Sequence, residues 1–108
     1  MTAARLRRLP RRRVCGRAVP VARNPRSRLL GLAGLERGEA GPGLLLPRCA
    51  SVHTFGMRFD LDLVFLDRRG RPLVTRLQVP PRRVAWCRGA AAVLEIPSEG
   101  GEFGSPVT

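Results

Sequence analysis

The residues able to do chemistry crowd into one stretch, Cys49 to Asp67, CASVHTFGMRFDLDLVFLD. It holds the single histidine of the chain, one of three cysteines, one of two methionines and three of eight acids. Cys49 and His53 are competent metal ligands, but a structural zinc needs about four ligands and a catalytic one about three plus water. Four residues of extended chain span about 13 Å. The pair therefore shares an ion only if residues 50–52 curl and Cys87 or Asp62 completes the set. No CxxC or HxxxH spacing supports that arrangement, and neither a metal nor another cofactor is expected. A cysteine nucleophile needs a neighbouring base to form its thiolate. Cys49 with His53 is the candidate pair, and no third residue can be assigned to orient it. In the plainer reading Cys49 is a small buried apolar residue, while His53 and Thr54 satisfy backbone groups of a turn.

Asp60 and Asp62 share a strand face about 7 Å apart, a separation that suits acid–base work. The face of Asp62 continues into Val64 and Leu66, so its carboxylate must be paired or accept hydrogen bonds. The N–H groups of HTFGM and the guanidinium of Arg28 are the expected partners, which makes Arg28 and Asp62 a structural latch. A pocket walled by His53, Phe55, Met57 and Asp62 is expected above it.

These side chains need a scaffold. Residues 5–13, RLRRLPRRR, are expected to be disordered or loosely extended, because like charges repel and Pro10 breaks a helix. VCGRAVPVA, from Val14, suits a first strand, and Pro20 places it at an edge. In NPRSRLLGLAGL, Asn24 is an N-cap and Pro25 fits the first helical position, where its missing N–H is no loss. Leu29, Leu32 and Ala33 share a face and Gly34 suits a left-handed C-terminus, so the spacing predicts a short helix over residues 25–33. ERGEAGPG reads as a loop and LLL (44–46) as a buried strand stopped by Pro47. Residues 59–66 form the strongest strand pattern, with Phe59, Leu61, Leu63 and Phe65 on one face. The other face turns apolar at Val64 and Leu66, as in a central strand. DRRG folds it back into residues 71–79 as a hairpin. RVAWC and AAVLEI supply two further strands.

RLLGLAGL, LLLPRCASVHTFGMRFDLDLVFLDRRGRPL and AAVLEIP, in that order, resemble the family called domain of unknown function 192, in its short bacterial form. The resemblance covers residues 14–97 and places Arg28, Gly31 and Leu32 on the helix motif and Met57 on the turn. It places Asp62 and Phe65 on the strand and Leu94 and Glu95 on the last strand. Two departures stand out. Ala33 replaces a frequent methionine, and SEGGEFGSPVT does not match the closing region. The resemblance implies a compact, β-rich α+β fold and no established activity.

At 108 residues the chain makes one domain. The fold class expected is α+β and β-rich, a small mixed sheet or partly closed barrel with one short helix. Residues 1–13 form a basic arm, 14–97 the domain and 98–108 a mobile tail. Without a closing segment, strand 91–96 is expected to leave an unpaired sheet edge and so to promote association.

The net charge of +12 invites a nucleic-acid reading. Residues 1–28, however, carry ten arginines and no acid, and the other ten arginines face all eight acids. All twenty basic residues are arginine, which fits the codon usage of a GC-rich genome. No apolar run reaches the ~18 residues of a membrane span or forms a signal peptide core. Three cysteines without tight spacing point to the cytoplasm. The leading functional expectation is a non-enzymatic binding or accessory module for a small ligand or protein partner, acting away from membranes. Next comes weak, non-specific nucleic-acid binding through the N-terminal arginines, although interleaved aromatics for base stacking are lacking. An enzyme centred on Cys49 and His53 is third.

Overall fold

The computed structural model describes residues 2–99. Helix α1 (Ala4–Arg7) opens the chain and is followed by a hairpin of β1 (Arg11–Val14) and β2 (Arg17–Pro20). Cys15 and Gly16 between them both have positive φ, the handedness that matches strand twist in two-residue hairpins. Helix α2 (Pro25–Leu30) is capped by Asn24, whose side chain accepts from the Ser27 N–H at 2.8 Å. A 3-10 turn (Arg37–Glu39) leads to β3 (Leu44–Pro47), β4 (Ser51–His53), β5 (Leu61–Leu66), β6 (Pro72–Val79), β7 (Val84–Trp86) and β8 (Ala92–Pro97).

The fold is α+β and β-rich. Its main sheet has the order β3-β8-β5-β6, all antiparallel, and β4 pairs with β7 in a separate two-stranded sheet. No sheet closes into a barrel among the described residues. The apolar alternation of β5 explains this architecture. Leu61, Leu63 and Phe65 enter the larger core with Leu32, Leu46, Val52, Met57 and Phe59. Val64 and Leu66 enter a second core on the opposite face, where β1 and β2 supply Val14 and Val19. A strand apolar on both faces needs cover on both.

Several expectations change. The basic arm is ordered from Thr2. Leu6 is buried, the Ala3 N–H donates to the Glu39 carbonyl at 2.8 Å, and Arg5 donates to the carbonyls of Gly31 and Ala33 at 3.0 and 2.7 Å. Burial, together with the nearby Arg26 charge, lowers the pKa of Arg5, and Glu39 partly opposes this. Charge repulsion thus loses to apolar burial and carbonyl pairing. The single strand expected from Val14 is the end of one hairpin arm, the turn and the second arm. Helix α2 stops at Leu30, because Gly31 takes φ +54° and ψ −129°, and Leu29 points to solvent. The helical turns at Ala4–Arg7 and Arg37–Glu39 are additional to the one helix expected.

The strand expected at a free edge, now β8, lies between β3 and β5. Among the described residues the outer strands are β3, which Val21 bridges at Leu45, and β6, whose Leu73, Val74 and Leu77 are exposed. Ser98, at the start of the expected tail, is buried and its N–H donates to the Asp60 carbonyl at 2.9 Å. The remainder of that tail, from Gly100 on, lies outside the described residues, as does Met1. No helix among the described residues is long and apolar enough to cross a membrane.

Candidate functional site

The exit of α2, the end of β3, strand β4 and strand β8 surround an open cavity of about 250 Å³. Arg28, Cys49, Ser51 and His53 line its polar parts, and Leu30, Leu32, Leu46, Val52 and Met57 its apolar walls. Its floor holds Glu95, which is 3% exposed. The alternation of β8 puts Glu95 on the same face as Val93, inside the larger core, while Leu94 packs on the other side.

Gly31 makes room for this carboxyl. A Cβ on Gly31 would sit 3.0 Å from Glu95 Oε1. Burial pushes the Glu95 carboxyl up to about 7, and the Leu32 backbone N–H beside it works in the opposite direction. Glu95 Oε1 has no hydrogen-bond partner among the described residues. Leaving a buried carboxyl oxygen unpaired costs free energy.

Two ties hold the rim. Arg28 donates through Nη1 to the Pro47 carbonyl and through Nη2 to the Arg48 carbonyl at 3.2 Å, which fixes the link between β3 and β4. Thr54 is buried. Its Oγ1 donates to the Pro80 carbonyl at 2.8 Å and accepts from the Arg83 N–H at 2.8 Å. Thr54→Val removes both bonds while keeping the shape, so it should cost about 2 kcal/mol in urea unfolding. An unchanged midpoint and slope would show that the hydroxyl does not hold this turn.

His53 and Met57 line the cavity, with Met57 buried and the His53 ring exposed. His53 Nδ1 accepts from the Phe55 N–H at 3.2 Å, so the neutral ring carries its proton on Nε2. Phe55 does not line the cavity. It is 52% exposed, with its ring tilted against His53 at a centroid distance of 5.8 Å. Asp62 is elsewhere. Alternation along β5 turns it away from the face shared by Leu61 and Leu63, and its Oδ1 accepts from the Gln78 N–H at 2.9 Å. Gln78 has φ +54°, and the β5–β6 pairing shifts register beside it, so Asp62 holds an irregular turn of the edge strand. The expected latch of Arg28 and Asp62 is therefore two separate ties on different parts of the fold.

The Cys49 thiol donates to the Ser51 carbonyl at 2.8 Å rather than to His53. Among the described residues no three His, Cys, Asp or Glu side chains gather closely enough to hold a metal. Sequence reasoning placed Glu95 on a strand and gave it no role. The available signal was one acid inside the apolar run AAVLEI.

The motifs that frame the cavity also identify its relatives. A family model described as "Uncharacterized ACR, COG1430", domain of unknown function 192, matches residues 11–102. The chain belongs to this family. The match begins within β1, so the hairpin arm is part of the domain.

A protein from Sinorhizobium meliloti 1021, described as a candidate transcription regulator, shares the fold with TM-score 0.65 at 21% identity. The similarity covers 82% of this chain and 78% of that one. A protein of unknown function from Novosphingobium aromaticivorans matches with TM-score 0.60 at 18% identity, over 92% of this chain and 89% of the other. No curated protein matches. Within this domain of unknown function 192 chain, Arg28, Gly31 and Leu32 converge with Glu95 on one cavity although the two motifs lie far apart in sequence.

Proposed function

We propose that the protein is a non-enzymatic binding module that captures a small molecule through Glu95. The observation that carries this reading is the unpartnered, buried Oε1 of Glu95, a residue that lines the open cavity. A ligand head that donates a hydrogen bond satisfies that oxygen. An ammonium does so best, because a charge-assisted bond to a desolvated carboxylate is the stronger kind. The aliphatic walls and Met57 take an apolar body, and His53 Nε2–H offers one donor at the mouth. The guanidinium of Arg28 is occupied by two backbone carbonyls, so it shapes the rim rather than competing for Glu95. The cytoplasm suits a chain whose Cys15, Cys49 and Cys87 are all unpaired.

Calorimetric titration with benzylamine, benzyl alcohol and benzoate tests the reading. Benzylamine should bind most tightly and benzoate least, with Glu95→Gln weakening benzylamine at least ten-fold. Equal binding of benzylamine by parent and variant, or a preference for benzoate, would overturn it.

A further inference from the structure

On the opposite face, the β1–β2 hairpin and the turn after β5 enclose a second cleft of about 270 Å³. Arg12 and Arg13 line it from β1, and Arg68 and Arg69 from the turn. Its floor is apolar, with Val14, Leu45, Leu66 and Ala92 at the open end of the second core. An adjoining cleft of about 420 Å³ shares Arg12 and Pro47 with the first and adds Arg11, Arg23 and Arg48.

Among the described residues one acid, Asp67, lines this pair of clefts, and its carboxylate is already engaged. Asp67 Oδ1 accepts from the backbone N–H groups of Arg69 and Arg71 at 2.8 and 2.9 Å. Arg12, Arg13 and Arg68 donate no side-chain hydrogen bond among the described residues, and neither do Arg11, Arg23 and Arg48. Chain segments far apart in sequence thus bring arginine side chains together around two adjoining hollows.

We infer that these clefts bind the phosphate backbone of a single nucleic-acid strand, with Arg12 at the junction. Guanidinium groups match phosphate oxygens in both charge and fork geometry. Two hollows meeting at a shared arginine suit a polymer that repeats its phosphates, whereas one isolated anion would fill only one. Their concavity admits a flexible chain and not a flat bilayer surface. The longest helix among the described residues, α2, has six residues and lines neither cleft, so no helix of this site enters a duplex groove. Among the described residues no aromatic ring lines the clefts, so binding follows the backbone and not the base sequence. This site is separate from the Glu95 cavity and does not depend on its ligand.

The test is fluorescence anisotropy of a labelled twelve-nucleotide oligo(dT) with the full-length protein, titrated between 50 and 200 mM salt. Deleting the arm would remove Leu6 from the core, so arginines are exchanged singly or in pairs. Arg68→Gln with Arg69→Gln should weaken binding at least ten-fold and lower the salt slope by about 1.4, as two lost contacts to a single strand require. Arg12→Gln with Arg13→Gln should do the same. Arg82→Gln with Arg83→Gln removes equal charge outside the clefts and should change binding less than three-fold. Circular dichroism confirms folding of each variant, and the Asp67 bonds survive because they come from backbone N–H groups. Equal losses in all three pairs would reduce the effect to bulk charge and overturn the site. So would absent binding at 50 mM salt, tighter binding of a duplex or of phosphatidylserine vesicles, or adenosine monophosphate binding as tightly as the strand.

Discussion

Between pH 4.5 and 7 the protein should lose about 3 kcal/mol of stability, and Glu95→Gln should abolish most of that loss. The cause is burial. In the unfolded chain Glu95 ionises near 4.5, while in the folded protein desolvation holds its proton to about 7. Across that window the native state binds more protons than the unfolded state, so stability falls as pH rises. The contribution is fully present below 4.5 and gone above 7, where both states are ionised.

Asp67 acts with the opposite sign. Backbone N–H groups of Arg71 and Arg69 and their nearby charges hold its carboxyl below the usual value of 3.8, so its contribution is lost only in more acidic solution. Thermal melts of parent and Glu95→Gln compared from pH 4.5 to 8 therefore isolate Glu95. The parent midpoint should fall on the order of 15 °C across the window. At pH 8 the Glu95→Gln protein should be the more stable of the two, since an amide carries no desolvated charge. Parallel profiles for parent and variant would mean that Glu95 does not titrate inside the fold. Benzylamine should stabilise the parent more at pH 8 than at pH 5, because the ionised carboxylate is the form it pairs with.

Glu95 shows where sequence reading stops. Alternation along AAVLEI was enough to put Glu95 on one side of the strand and Leu94 on the other. It did not show that α2 would end at Gly31 directly beside that side chain, because the contact joins segments more than sixty residues apart. Local patterns carried well elsewhere. The apolar faces of residues 59–66, the DRRG turn and the Asn24-Pro25 helix start each rest on neighbours in sequence, and each appears in the fold.

Asp62 failed for the same long-range reason. A carboxylate beside Val64 and Leu66 needs donors, but which donors depends on the irregular register of β6. The arginine-rich arm misled differently. Its charge dominated the local reading, whereas the core that buries Leu6 and the two carbonyls that Arg5 reaches are supplied by the rest of the domain.

Gly31→Ala should destabilise the protein by about 3 kcal/mol and weaken benzylamine binding at least ten-fold. Two effects combine. With φ +54° and ψ −129°, Gly31 occupies a region that residues with a Cβ adopt only under strain. The added methyl would also lie 3.0 Å from Glu95 Oε1, pressing on a carboxyl that the core already confines. A double-mutant cycle separates the two. In a Glu95→Ala background the contact is gone and the backbone strain remains, so Gly31→Ala should cost about 1 kcal/mol less there. Urea unfolding of the four proteins at pH 6 gives the comparison. If the glycine substitution costs the same with and without the Glu95 carboxyl, the two motifs are not coupled through this contact and the cavity floor has been misassigned. If coupling is present but benzylamine binding is untouched, the contact serves stability alone and the ligand enters without passing Oε1.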